Sequence, residues 1–396
     1  MISDNRLKIR IVFALAFLTG LNFVMFPALS PVLMSPTYFA LKASAFGFLF
    51  APQVIFIALG CMFAPFLANK FGAKLILISG LILMLLVTFV LGFLGFRDSV
   101  FQNFSKDSLY KILLCLVGLM GFGFGTSVTV LNPLAASFFQ NNKASAILML
   151  QFLVGLGTSV APFLMFLLKD LSDWYWIPSC IAVVMFVLIL ALALTKIEEG
   201  DFFKLPNSIQ IPHKLWMFII IIIMYGFLEG SFGSFGIPIL ISKGLTSQEA
   251  SLGLSLFWAG MALNRLLFGI FTPLKDLSKI FIFSPLVLAL ALVLFLLVNT
   301  NLVIIVSFFL IGFFMGSIFP GSIGWATVEF PNLAVLVSGV LMAANQTGTG
   351  IVTNVLGIFQ NEIIGSPIIF GLILVCVLIF MLIFKISLKS KIKEAF

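Results

Sequence analysis

Charge is what this chain has least of. Only 9% of its 396 residues are Asp, Glu, Lys or Arg, 62% are hydrophobic, and the mean hydropathy is +1.24. A water-soluble domain of that make-up would have nothing to cover its surface with. The single histidine, His213, falls in a polar loop and cannot build a His-based zinc site. The four cysteines (Cys61, Cys115, Cys180 and Cys376) lie inside apolar runs without CxxC spacing, which favours packing over disulfides or metal. No GxxxxGK[ST] phosphate loop occurs, nor a soluble segment able to hold a nucleotide, which argues against a primary pump. No nucleophile–base pair, metal cluster or carboxylate dyad stands in a workable register, which argues against an enzyme, and no cofactor is expected.

What the chain has instead is a succession of apolar runs of about 20 residues, each enough to cross a bilayer. In lipid the backbone must satisfy its own hydrogen bonds, so these runs are helices. The short alternating strands of a membrane barrel do not occur. Breaking the chain at its polar clusters gives twelve spans: 9–33, 44–68, 74–96, 111–139, 144–167, 174–195, 215–241, 251–272, 278–298, 302–327, 333–358 and 367–386. The start, "NRLKIRIVFALAFLTG", has the basic-then-apolar order of a signal peptide. Its apolar stretch runs on to about Leu33 without an AxA site, so it reads as the first span.

The longest polar gap, "TKIEEGDFFKLPNSIQIPHK", lies at the midpoint. The expected organisation is a six-helix bundle over 1–195, a cytoplasmic linker over 196–214 and a second six-helix bundle over 215–396. With both termini in the cytoplasm, 15 Lys and Arg fall inside and 6 outside, as the positive-inside rule requires. The net charge of +8 therefore reflects span ends and does not point to nucleic acid. Compact loops favour a bacterial inner membrane, and a monomer is expected.

The two halves carry an internal repeat. "ANKFGAKLIL" (68–77) aligns with "PLKDLSKIFI" (273–282) at an offset of 205, and both hold Lys pairs spaced by four, Lys70 and Lys74, Lys275 and Lys279. "LMLQFLVGLG" (148–157) aligns with "LMAANQTGTG" (341–350) at an offset of 193. Twelve spans in two parallel six-helix repeats describe a secondary transporter of the major facilitator kind.

Glu229 and Arg265 are the only charges well inside the spans, and Glu329, at an inner span end, is expected to be solvated. A carboxylate at mid-membrane costs roughly 2.5–3.5 kcal/mol, so ionisable groups there usually line a pathway. At 1.5 Å per residue Glu229 lies about 21 Å above the inner end of span 7 and Arg265 about 10 Å above that of span 8. The two touch only if side chains or water bridge them. Low-dielectric surroundings favour a neutral carboxyl, which makes Glu229 a candidate proton carrier. A purely structural Glu, neutral or balanced by Arg265, is the alternative. Tyr225 stands one turn before Glu229 on the same face. Gly226, Gly230, Gly233 and Gly236 admit a neighbouring helix or a ligand. Trp258 offers a ring for stacking on a solute. The amides Gln53, Asn132, Gln151, Asn264, Asn345, Gln346 and Asn354 suit a polyhydroxylated ligand, or serve as interhelical glue.

"YGFLEGSFGSFG" (225–236) followed by "SLFWAGMALNRLLFG" (255–269) resembles spans 7 and 8 of the fucose–galactose–glucose:proton symporter group of the major facilitators. "NP" at 132–133 and "QFLVGLGTSVAP" (151–162) resemble its spans 4 and 5. The resemblance implies a two-bundle, alternating-access transporter with its solute site between the bundles. Asn132 and Gln151 then look like substrate contacts of the first bundle, and Tyr225, Glu229 and Trp258 like those of the second. The group's acids in spans 1 and 4 have no counterpart, since span 1 holds none and Val128 stands at the span 4 position. The loop motif G-x-x-x-D-R-x-G-R-[RK] reads "PFLANKFGAK", keeping Gly72 and Lys74 but with Asn69 for Asp and Lys70 for Arg. Neither fucose nor the usual proton site is carried over.

The leading expectation is transport of a small polar solute, a sugar first, with protons coupled through Glu229. Asn345 and Gln346 are further substrate contacts, and Arg265, Lys70 and Lys74 balance charge or steady a gate. Carriage of organic anions or amino acids, and efflux of lipophilic compounds, stay open as alternatives on the same fold. A non-transporting sensor would need a soluble regulatory domain, and the longest loop has only about 20 residues.

Overall fold

The computed structural model describes residues 2–96, 103–138, 143–168, 170–197, 212–271, 277–330, 334–363 and 366–394. Among the described residues each of the twelve expected spans is predominantly helical, and no strand occurs. We number them α1 (Ile2–Phe23, continued by Met25–Ala28 and Ser30–Met34), α2 (Ala43–Phe71), α3 (Ala73–Phe96), α4 (Lys106–Ser137), α5 (Lys143–Leu167) and α6 (Trp176–Leu194). The second half holds α7 (His213–Ser242), α8 (Ser247–Phe271), α9 (Leu277–Leu297), α10 (Asn301–Met315 and Ile318–Glu329), α11 (Ala334–Ile363) and α12 (Ser366–Glu394). Among the described residues, nine helices are long and apolar enough to cross a bilayer, and α9 adds a shorter apolar stretch, Ile282–Leu297. Most of the expected linker falls outside the described residues, as does Lys275; Lys279 lies in α9, but its side chain is likewise not described.

Local chemistry explains where helices begin and bend. Gly72 (φ 94°) alone joins α2 to α3, a left-handed backbone that favours glycine. Thr246 and Glu249 start α8 with a reciprocal capping box. The Thr246 amide donates to Glu249 Oε2 at 2.9 Å, and the Glu249 amide donates to Thr246 Oγ1 at 3.2 Å. Prolines set the breaks, because each lacks the N–H that would bond the carbonyl four residues back. Pro27 frees the Phe23 carbonyl where α1 breaks, and Gln53 Nε2 donates to it at 3.5 Å. Pro320 frees the Gly316 carbonyl where α10 breaks. In α7, Pro238 frees the Ser234 carbonyl, where a π-helical turn, Gly230–Ser234, ends.

Close helix contacts reveal the duplication directly. A Cβ on Gly121 or Gly125 of α4 would lie 2.5 Å from the Gln53 carbonyl oxygen or 2.4 Å from that of Ile57, on α2. On α10, Gly312 and Gly316 stand in the same relation to Phe257 (2.0 Å) and Met261 (2.6 Å) on α8. Gly20 meets the Val154 carbonyl and Gly157 that of Phe17 across α1 and α5. Gly226 and Gly348 meet those of Asn345 and Ile223 across α7 and α11. These pairs share one register: α1 maps onto α7 206 residues on, α2 onto α8 204 on, and α4 and α5 onto α10 and α11 191 on. The offset of 193 read from "LMLQFLVGLG" is therefore corrected by two residues, because leucines and glycines in apolar helices match at several registers and backbone contact at only one.

Across the two halves, α5 packs on α8 and α2 on α11, symmetry mates under that register, while the end of α1 meets the end of α7. These contacts gather toward the face opposite the termini. There Phe46 meets Phe235 edge-on with centroids 5.2 Å apart. Ser255 Oγ donates to the Ser159 carbonyl at 2.7 Å, and Gln248 Nε2 to that of Leu168 at 2.8 Å. On this same face Lys243, between α7 and α8, donates to the Phe295 and Leu296 carbonyls that end α9. Partial burial lowers its pKa from the ordinary lysine value. Exposed apolar side chains such as Phe56, Phe63, Phe89 and Phe93 coat the outside of the bundle, as a lipid-facing belt requires. Cys115 and Cys180 are exposed, Cys376 is buried, and all four cysteines are free.

Candidate functional site

Glu229 ends the regular part of α7, immediately before the π turn. Such turns insert one residue into the helix and recur at functional sites, where they re-aim a side chain. The carboxyl is buried within the second bundle, and Asn345 Nδ2 of α11 donates to its Oε2 at 2.6 Å. The two helices come this close because Gly226 and Gly348 carry no side chains. Thr349 Oγ1 adds a bond to the Gly226 carbonyl at 3.2 Å. Under the repeat register Glu229 corresponds to Phe23 and Asn345 to Val154. The first bundle is therefore apolar where the second is polar.

Tyr225 is fully buried, its ring stacked on Phe319 with centroids 5.7 Å apart. Its hydroxyl points to the sulfur of Met261 at 3.7 Å, and Arg265 Nη2 donates to the same sulfur at 3.1 Å. Arg265 Nε donates to the Gly316 carbonyl, the one left free by Pro320, at 3.3 Å. Tyr225 and Met261 thus both engage Arg265, while Glu229 and Arg265 make no ion pair with each other among the described residues. Met261 is the residue that sequence reasoning missed, since a methionine in an apolar helix carries no signal of a polar contact.

Trp258 packs edge-on against Phe23 of the first bundle, with centroids 6.3 Å apart, and Phe23 in turn stacks on Phe124 at 4.4 Å. The other side of the indole lies over Gly233, where a Cβ would approach it to 2.7 Å. The indole N–H of Trp258 and the Oδ1 of Asn345 are both buried without a hydrogen-bond partner. In the first bundle Gln151 Nε2 donates to Asn132 Oδ1 at 2.9 Å, so those two amides meet each other. Gln346 is buried beside Asn345.

The lysines sit elsewhere. Lys70 is exposed, with its ammonium 5.1 Å from the centre of the Phe71 ring. Lys74 donates to the carbonyls of Ala193 (2.7 Å) and Thr195 (2.8 Å), which stabilises the C-terminal end of α6. Glu329 is not solvated as expected: it pairs with Lys214 at 2.7 Å, with side chains 20% and 21% exposed, and ties the start of α7 to the end of α10. That exposure sets the cost of Lys214→Met at about 1–3 kcal/mol, between an exposed and a fully buried pair. Thermal unfolding in detergent should show the loss, and the charge swap Lys214→Glu with Glu329→Lys should recover most of it.

Residues 12–353 match the family model of the Major Facilitator Superfamily, and the chain belongs to that family. It is an integral membrane transport protein rather than an enzyme. Among curated proteins it is 24% identical to the glucose/mannose transporter GlcP of Bacillus subtilis (strain 168) over 319 residues, 76% of each chain. Its fold is similar to that of the nucleoside transporter NupG (TM-score 0.72, 14% identity, covering 96% of this chain and 98% of that one). It is also similar to a bacterial homologue of the human lysosomal transporter Spinster in an inward-facing and occupied conformation (TM-score 0.71, 14% identity, 96% of each).

Proposed function

We propose that this transporter carries a sugar-class solute by alternating access between bundles 1–195 and 215–396, coupled to protons through Glu229. In this reading the linker 196–214 and both termini face the cytoplasm, the membrane is a bacterial inner membrane, and the unit is a monomer. The observation that carries it is the buried carboxyl of Glu229 held by Asn345 at 2.6 Å, midway along α7, in a chain whose expected spans hold one other charge well inside, Arg265. Protonation couples to transport when the charged and neutral forms favour different bundle arrangements. In this reading the hydroxyls of a sugar suit the amides Asn345, Gln346, Gln151 and Asn132 and the unpartnered indole N–H of Trp258. The likeness to a glucose/mannose transporter supports the solute class.

Purified protein in proteoliposomes, given glucose, mannose and their acid derivatives with an inward proton gradient, tests it. The expected result is accumulation above equilibrium that a protonophore abolishes. Uptake that only equilibrates, whatever the gradient, would remove the coupling, and extrusion of lipophilic compounds with no sugar uptake would replace the solute class.

A further inference from the structure

We propose that Arg265 is the anion receptor of the central site, and that the solute is a sugar bearing a carboxylate, carried together with one proton. This rests on the reading of Glu229 above and refines its substrate class.

The guanidinium offers five donors in a rigid fork. Its hydrogen bonds go to neutral partners: the Gly316 carbonyl, the Met261 thioether, a weak acceptor, and the Tyr225 hydroxyl. Among the described residues the one carboxylate within its electrostatic reach, Glu229, is bonded to Asn345 instead. Arg265 also lies where the bundles meet. A Cβ on Gly155 of α5 would lie 3.7 Å from its Nη1 and 3.1 Å from the Ala262 Cβ, so the first bundle presents backbone close beside the cation. The facing stretches of the first bundle, 12–34, 45–69, 112–138 and 149–167, contain no charged residue. On the second bundle the titratable groups facing it are Tyr225 and Glu229 of α7, and Glu329 of α10 is already paired with Lys214.

The interior therefore holds one positive and one negative charge, near each other but not in contact. While Glu229 is ionised the pair is neutral overall. When Glu229 takes a proton, Arg265 becomes the only charge in a low-dielectric interior, an arrangement costly to maintain. A carboxylate from the solute restores neutrality, and its two oxygens match the guanidinium fork. Proton and anion then load as a neutral pair. A neutral sugar leaves Arg265 uncompensated in the protonated state, so the site selects against it. The buried Oδ1 of Asn345 and N–H of Trp258, an acceptor and a donor without partners, remain for the hydroxyls.

The test compares D-glucose with D-glucuronate, which share a ring and differ by the carboxylate, in proteoliposomes of the full-length protein under an inward proton gradient. Glucuronate uptake should exceed glucose uptake by about tenfold or more, since a site built for a charged partner rejects the analogue that lacks it. Arg265→Gln should erase the preference and Arg265→Lys retain part of it. In purified wild type, glucuronate but not glucose should raise the melting temperature. Glucose carried as well as glucuronate, or a preference that survives Arg265→Gln, overturns the anion site and leaves the proton-coupled sugar reading standing. A glucuronate preference in a carrier indifferent to the gradient and to Glu229→Gln keeps the anion site and overturns the coupled loading. A folded wild type that neither binds nor carries either compound overturns both.

Discussion

Glu229→Gln is expected to abolish gradient-driven accumulation while leaving solute exchange intact. Glutamine has the shape of glutamate, and its carbonyl oxygen can accept the bond that Asn345 Nδ2 now gives Oε2. What it cannot do is carry a proton. With one proton moving per solute, each pH unit of gradient is worth about 1.4 kcal/mol, or roughly tenfold accumulation. The wild type should reach about that ratio per pH unit, and the variant should stay at the equilibrium ratio of one. Counterflow, which needs no net proton movement, should persist in the variant. Glu229→Ala is a different experiment, because it leaves the buried Asn345 amide without its acceptor, at a cost of about 1–3 kcal/mol. Loss of stability in that variant would not bear on coupling.

Gly47→Val is expected to stop both accumulation and exchange. Gly47 of α2 packs on α11, where a Cβ would lie 2.4 Å from the Thr353 carbonyl oxygen and 2.8 Å from Gly357 Cα. Both neighbours are backbone, so neither can rotate away, and a branched side chain forces the two bundles apart at the face opposite the termini. The edge-on contact of Phe46 with Phe235 lies at the same face and opens with it. The expected state is one with that face permanently parted, unable to complete the cycle. With the four native cysteines replaced by serine or alanine, Phe235→Cys should be unreactive to a membrane-impermeant maleimide and should be labelled rapidly once Gly47→Val is added. Normal counterflow in Gly47→Val, or unchanged labelling, would show that this contact does not control access. The contrast is diagnostic: one substitution removes the driving force and spares the cycle, the other stops the cycle.

Much of the fold was legible because the signal was coarse. Runs of about 20 apolar residues locate helices almost regardless of detail, and each of the twelve spans lies within a few residues of a helix. The helix breaks were harder to read. Pro27, Pro238 and Pro320 are plain in the sequence, but the partner of each freed carbonyl is set by packing. Gln53 reaching Phe23 and Arg265 reaching Gly316 could not be read from one dimension. The repeat was visible and its second register was off by two, because residue identity is a poor ruler in a chain built from so few residue types. The polar candidates were legible one by one. Their pairings were not: Glu229 with Asn345, Gln151 with Asn132, and Tyr225 with Met261 and Arg265 each join different helices. Glu329 was misread for the same reason, since Lys214 lies 115 residues away.

Infrared difference spectroscopy of the carboxyl C=O stretch, on membranes taken through a pH step with and without solute, puts the central claim to its most direct trial. The account predicts a protonated-carboxyl band whose size changes when solute binds, present in the wild type and absent from Glu229→Gln under the same step. An identical solute-dependent band in Glu229→Gln, or proton-driven uptake in a wild type that shows no such band, would contradict it.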